Sequence, residues 1–554
     1  MKMFTTLFLC LSITYVADAQ KIILLKDIQS STGSSNPVFY TSFSNGTTLM
    51  MVEGASSSHL LYETKGTPPT TGIFYNKGSE KYNSVMGDGK LFYVGDDGTN
   101  GKELWISDGS SGNTKMIKDL NIADGILTGD NYNIVYYNKK AFYTGFTSSY
   151  NAEPWYTDGT DTGTHMLKNL TSGAGDPSHF TIAGSKLFFR GNTSNEGYEM
   201  WVSDGSESGT HMVTDLNPTG DGVDNVAFGV LGTWVYFRGR DNNSGWELCK
   251  TDGTGVIIVK NIRAGNGDSA PLYFYEFNGK LYFVADDGTN GRELWVTDGQ
   301  TAGTNMVKDI NTGSSSSFPT FMGVINNMLI IAATSAGYGT ELWSVDMNDN
   351  VTMIKDINPG SGNGKINILS EYYKNIGLMP VNNSYNNVIY FAGDDGTNGR
   401  ELWRTDGTNS GTYMVEDVGK IPTNSASSNL NFIQVNNNNV YLSMTDGSNG
   451  NEPYVYEATI PGPPQNVGNT KHEKSTTVYP TVNHGTFKIS LGEEYFRYGY
   501  LQAVDMTGRI IYDQSIPAGQ KTVNIVLSDI ASGMYLVNIR LDQRAETHAI
   551  NIIR

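Results

Sequence analysis

One phrase returns throughout the chain and constrains it more than any other feature. It reads Glu293-Leu294-Trp295, then Asp298-Gly299, then Gly303-Thr304 and Lys308-Asp309-Ile310, with close copies around Trp105, Trp201 and Trp403. Taking the tryptophan as the register, nine units fall at Tyr62, Trp105, Trp155, Trp201, Cys249, Trp295, Trp343, Trp403 and Tyr454, 43 to 60 residues apart. That period is too long for leucine-rich or ankyrin repeats and suits four-stranded propeller blades.

The interior of a unit favours strands over paired helices. Pro319 to Asn326, Asn327 to Ala333, Thr340 to Val345 and Val351 to Ile357 are short runs rich in β-formers, each ended by turn residues. Asn326-Asn327 and Asn278-Gly279 tolerate the positive φ of a two-residue hairpin, and Asp298-Gly299 with Gly303-Thr304 does the same between the last two strands. A four-stranded meander has two faces to bury and can bury them only against its neighbours, so the expected fold is all-β, a large closed β-propeller. Nine blades are favoured because Asn36 to Asn76 is long enough for four strands; eight is the alternative if the weak first unit is a cap. In this fold the recurrent tryptophan packs between blades. The repeated glutamates (Glu103, Glu153, Glu199, Glu247, Glu293, Glu341, Glu401 and Glu452) are expected to accept hydrogen bonds from loop amides, since a catalytic acid is needed once.

The two ends of the array fit each other. Lys21 to Ile28 has the fourth-strand pattern with no preceding strands, whereas the last unit stops after Tyr456 without a fourth strand. The N-terminal strand is therefore expected to complete the final blade and remove both sheet edges. Residues 21 to 460 resemble the family of secreted bacterial proteins that carry the ELWxxDGT repeat, which implies a propeller and says almost nothing of activity.

After Ile460 comes Pro461-Gly462-Pro463-Pro464-Gln465, a stiff spacer. The expected domains are a signal peptide at 1–19, the propeller at 20–460, a Pro/Gly-rich linker at 461–476 and a small C-terminal β-sandwich at 477–554. That last domain carries Tyr479-Pro480, Gly485-Thr486-Phe487, Asp505-Met506-Thr507-Gly508-Arg509 and Ser532-Gly533-Met534-Tyr535. In these motifs it resembles the C-terminal sorting domain of the type IX secretion system of the Bacteroidota, with Val482 where the family usually has a second proline. The resemblance implies outer-membrane export, with Tyr479, Pro480, Gly485, Asp505, Gly508, Gly533 and Tyr535 as the sorting motif and the type IX machinery as partner. It also implies loss of the domain on export, followed by release or attachment to surface lipopolysaccharide.

The N-terminus fits this route: Lys2, an apolar run from Phe4 to Val16, and Ala17-Asp18-Ala19 before Gln20 read as a cleavable signal. Leu9 before Cys10 is too bulky for a lipoprotein signal, and no later run is apolar enough to span a bilayer. Cleavage leaves Cys249 as the only thiol, so packing must replace disulfides; it stands at a tryptophan position and is expected to be buried. A net charge of −18 argues against nucleic acid and anionic lipid as partners.

The sequence points to no catalytic constellation, cofactor or metal. His165 and His211 occupy a strand position that elsewhere holds Asn305 or Tyr413, which suits an exposed face. Asp96-Asp97-Gly98-Thr99-Asn100-Gly101 and its copies at Asp286 and Asp394 could hold calcium, but a hairpin turn explains the same residues. The long interval before Trp403 adds residues near Lys365 to Asn387, and its tyrosines Tyr372, Tyr373 and Tyr385 are the candidate binding residues; a loop of no consequence is the competing reading. The expected function is that of a non-enzymatic propeller, secreted or displayed on the outer cell surface, whose loops bind a polysaccharide or surface protein. The alternative is a polysaccharide-active enzyme with carboxylates at the propeller mouth.

Overall fold

The computed structural model describes residues 22 to 552, apart from 31–32, 55–58, 76–77, 122–124, 127–131, 367–382, 419, 422–423, 426–427, 431, 437, 459–476, 480–481, 484–485, 492–498, 506–509, 517–520, 528–530 and 542–543. Two units emerge, residues 1–458 and 459–554.

The first is a propeller of nine four-stranded antiparallel blades. Blade six is representative: Leu272–Phe277, Lys280–Asp286, Arg292–Thr297 and Asn305–Lys308 follow one another as a meander. The tight turns form where the sequence places them, with Asn278 at φ 53° and Gly279 at 69°, and Asn326 and Asn327 at 49° and 58°. Blade one is a full four-stranded sheet, Val38–Ser42, Thr48–Glu53, His59–Thr64 and Gly72–Tyr75, although Leu60 stands where its siblings carry glutamate.

Blade nine shows how the ring closes. Its own strands Phe432–Asn436, Asn439–Met444 and Glu452–Glu457 accept Ile23–Leu24 as the fourth. Ile23 pairs with Val455 and Leu24 with Tyr454, and the Leu25 amide donates to the Pro453 carbonyl at 2.8 Å.

The blades are held by side chains between sheets. Trp295 of blade six packs with Tyr236 and Leu248 of blade five, and Trp201 of blade four with Phe142 of blade three. In blades two to four the indole packs so closely on its own blade's second strand that a Cβ on Gly95, Gly145 or Gly191 would come within 2.5–2.9 Å of the ring, whereas Ala285 and Ala333 hold the equivalent places in blades six and seven. Trp295→Ala is expected to cost about 3–5 kcal/mol, as large-to-small changes at buried aromatics do.

The second unit consists of two sheets. Thr477–Tyr479, Thr486–Ser490 and Thr522–Val526 form one; Val482–Asn483, Arg544–Ile552, Gly533–Leu541, Gly499–Asp505 and Ile510–Ile516, in that spatial order, form the other. Alternating inward residues, among them Phe487, Ile489, Leu501, Val523, Ile525, Val537 and Ile539, make its core, the pattern of a small β-sandwich.

Deleting residues 20–28 is expected to lower the melting temperature of the propeller by strand loss and edge exposure. A peptide of Lys21 to Ile28 added in trans should restore it, as followed by calorimetry; no recovery would contradict closure by this strand.

Candidate functional site

The residues that recur are consumed by construction. Glu293 is fully buried, and its carboxylate accepts the Ile310 amide at 2.9 Å, the Ser317 amide at 2.9 Å and the Ser317 hydroxyl at 2.5 Å. These donors come from the end of the fourth strand and from the segment that leads into blade seven. Glu247 and Glu341 are bonded in the same way. Glu452 does this across the closure, taking Ile28, Gln29 and Ser35 amides.

The Asp-Gly turns are equally self-contained. Asp298 accepts the Gln300 amide at 2.8 Å, and the buried Thr297 and Thr304 hydroxyls bond at 2.7 Å. A Cβ on Gly303 would collide with the Asp298 carboxylate, which explains the glycine. In the second class of aspartate loop, Asp97 accepts the Thr99 and Asn100 amides on one oxygen and the Asn100 side-chain amide on the other. Among the described residues no three His, Cys, Asp or Glu side chains cluster as a metal site would.

Burial sets the titration of the glutamates. It pushes Glu153, Glu199, Glu341 and Glu401 up to about 7, against the downward pull of their amide donors. Burial also pushes the Cys249 thiol far up; the residue sits among Phe188, Val202 and Phe237, so it is packing material. His165 and His211 are exposed.

Functional distinctiveness has to come from places where the repeat is broken. Tyr385 lies on the inner strand Ser384–Tyr385 of blade eight, half-buried against the core between blades eight and nine. Tyr372 and Tyr373 lie outside the described residues. The flanks of that insertion are pinned: Lys365 bonds Asp394 at 2.7 Å, and buried Asn383 donates to the Met322 carbonyl at 3.1 Å.

A rim of left-handed residues follows the glutamate-binding Ser or Gly of six connections: Asn36, Asp176, Ala270, Phe318, Lys365 and Asn429, with φ from 41° to 48°. Around Asp176 the rim becomes polar. Tyr132 and Tyr198 donate their hydroxyls to its two oxygens at 2.5 and 2.6 Å, and the Arg190 guanidinium lies 3.4 Å from the centre of the Tyr198 ring. Arg238 pairs with Asp224 at 2.9 Å, and Arg240 stacks on Trp246. Buried His179 is pushed down to about 4 by desolvation and bonds Asn225. Asp176 and Asp224 are thus held by neighbouring side chains, and Arg190 donates to the Val223 carbonyl at 3.1 Å.

The remaining irregularity is open. A groove of about 610 Å³ lies at the hairpin-turn end of blades five and six, lined by Leu231, Trp234, Tyr236, Lys250, Glu276, Asp298 and Gln300 among others. Cys249 is the conspicuous departure of this blade in the sequence, and Trp234 and Lys250 are the ones that reach the groove. The signal was present: the second strand opens with Lys90, Lys140, Lys186 and Lys280 in four other blades, and with Trp234 here.

In the second unit, Asp505 and Tyr535 of the sorting motif are cross-strand partners, and the Tyr535 hydroxyl donates to the Ala531 carbonyl at 2.8 Å. Tyr479 and Gly533 lie at strand ends, and Pro480, Gly485 and Gly508 lie outside the described residues. Residues 477–553 match the secretion system C-terminal sorting domain. The match implies export to the cell surface or beyond and contact with the secretion machinery. No helix among the described residues is long and apolar enough to cross a membrane. A search of curated proteins finds no match.

Among solved structures, the chain is similar to a puromycin-hydrolyzing peptidase of Mycobacterium tuberculosis (9% identity, TM-score 0.34, 60% of this chain and 53% of that one). It is similar also to the β-propeller domain of the Trilobed protease from Pyrococcus furiosus (12%, 0.31, 59% and 98%) and to TolB from Acinetobacter baumannii (16%, 0.27, 48% and 63%). The chain spans about half the length of the puromycin-hydrolysing enzymes it matches. Likeness at this level carries no argument about activity.

Two outcomes follow from the glutamates. Glu293→Ala leaves two buried amides and a hydroxyl without acceptors and is expected to cost about 3 kcal/mol or more in denaturant unfolding. A carboxyl whose pKa is higher in the folded chain keeps its proton longer there, so Glu153, Glu199, Glu341 and Glu401 contribute stability that is fully present below about pH 4.5 and is lost as pH rises through about 7. The melting temperature should fall across that window, and Glu341→Gln should flatten the slope.

Proposed function

We propose that this chain is a non-enzymatic binding propeller, secreted or displayed on the outer cell surface, and that type IX secretion exports it through its sorting domain. The observation that carries the binding reading is the occupation of the recurrent acids. The glutamates of the repeat bond backbone amides, and the rim carboxylates Asp176 and Asp224 bond tyrosines and an arginine. A general acid or nucleophile needs an oxygen presented to substrate, and these oxygens are turned inward. The sorting domain supports an extracellular place of work, with a surface polysaccharide or surface protein as the class of partner.

Removing residues 477–554 is expected to retain the propeller in the periplasm, as read by fractionation. Affinity capture on native cell surfaces, run beside a glycan array and a polysaccharide hydrolysis assay, tests the rest. Specific capture without hydrolysis supports the binding reading; hydrolysis without capture overturns it in favour of an enzyme.

A further inference from the structure

Blade five departs from the repeat at three positions, and two of them, Trp234 and Lys250, line the groove between blades five and six. Cys249 replaces the tryptophan, Lys250 replaces the apolar residue that follows it in most blades, and Trp234 replaces the lysine that opens the second strand. The last two are coupled. In blade four, Lys186 reaches from the start of the second strand to the Asp252 carbonyl in the Asp-Gly turn of the next blade, at 2.8 Å. In blade six, Lys280 reaches Asp349 of blade seven at 2.6 Å. In blade five the tether comes from the third strand instead, with the Lys250 ammonium donating to the Gly299 carbonyl at 2.7 Å. Position 234 is thereby released from holding the ring together, and a tryptophan fills it.

The indole of Trp234 is half-buried and lines the groove, and among the described residues its N–H has no acceptor. Lys250 lies 4.3 Å from the centre of its ring and fixes its orientation. Glu276 and Asp298 are exposed at the groove's edge. Each has one oxygen committed, to the Gly279 amide at 3.1 Å and the Gln300 amide at 2.8 Å, and one that accepts nothing further among the described residues. Gln300 adds an amide. The volume is within the range of about 300–1,000 Å³ usual for small-molecule sites.

These groups select a ligand class. Two carboxylates beside a single committed ammonium repel phosphates and acidic polymers. A cationic ligand would meet the Lys250 ammonium already seated on the indole. A neutral ring with axial C–H bonds and equatorial hydroxyls fits both features: the C–H groups would lie on the indole face opposite the Lys250 ammonium, and the hydroxyls would donate to Glu276 and Asp298 as strong charge-assisted bonds. We propose that this groove is a binding site for a neutral saccharide, with a pyranose ring stacked on Trp234. The proposal rests on the binding-module reading above and names its ligand.

The test uses the full chain and a panel of neutral hexasaccharides with gluco-, manno- and xylo-backbones, together with neutral polysaccharide stripped from the producing cells. Calorimetry and the shift in tryptophan emission report binding. At least one member is expected to bind, Trp234→Lys to weaken it at least tenfold with an unchanged melting temperature, Trp234→Phe to retain most of it, and Glu276→Gln to weaken it several-fold. Lysine is the natural residue at this place in four sibling blades, so the first variant should fold. Saccharide binding unaltered in Trp234→Lys overturns the groove but leaves the propeller a binding module. A captured surface protein with no saccharide bound overturns the ligand class alone. Absence of both saccharide and protein partner overturns the two readings together.

Discussion

The propeller depends on a carboxyl group buried where the chain leaves one blade for the next. A four-stranded sheet ends with its outermost strand, and the backbone must then return to begin the next sheet, carrying amides that belong to no ladder. Buried amides without acceptors are costly. A glutamate on the third strand, such as Glu293 or Glu341, supplies two oxygens to amides from both ends of that return path. The acid therefore fixes both where the fourth strand ends and where the following blade starts. The tryptophan two residues later fills the wedge between the sheets thus positioned, and a small residue on the adjacent strand, glycine at Gly95, Gly145 and Gly191 or alanine at Ala285 and Ala333, makes room for its ring.

This division of labour explains why the most conspicuous residues are the least informative about function. Acid and aromatic together look like a sugar-binding pair, yet both are buried in every blade that carries them. Variation is tolerated at the turns and along the edges, and there the open groove of blades five and six is found. Moving the inter-blade tether from the second strand to Lys250 illustrates how a repeat acquires a distinct site: a structural duty is transferred to a neighbouring residue, and the vacated position changes chemistry.

Much of the architecture could be read from residue order because its determinants are local or periodic. The Asn-Gly and Asn-Asn hairpins need only positive φ at two neighbours, and the match between Lys21 to Ile28 and the truncated last unit is a comparison of patterns. The role of the glutamates followed from their number. The groove was not legible in the same way. Trp234, Glu276 and Asp298 come from two blades, and their proximity depends on ring geometry that no periodicity reports. Lys250 was hidden because a lysine in a strand reads as solvated, whereas here only its registration against Gly299 reveals it as a tether. Tyr385 was read as part of a projecting insertion; its hairpin partner Val388 places it on a blade's inner strand instead.

The closing strand has a consequence for how such a chain comes to be folded. Ile28 and Glu452 are joined across 424 residues, so the contact that seals the ring has close to the greatest loop-closure entropy the propeller can contain. Blades two to eight can assemble from neighbours as they appear, but the strand synthesised before all of them waits until the last blade exists. Contacts of such long range are slow to form. During that interval the ring has two bare sheet edges, and the order of events makes the newest and oldest segments partners in a single final step. The same bond that gives the mature propeller no beginning and no end therefore defines a period of exposure that any exported chain of this design has to survive.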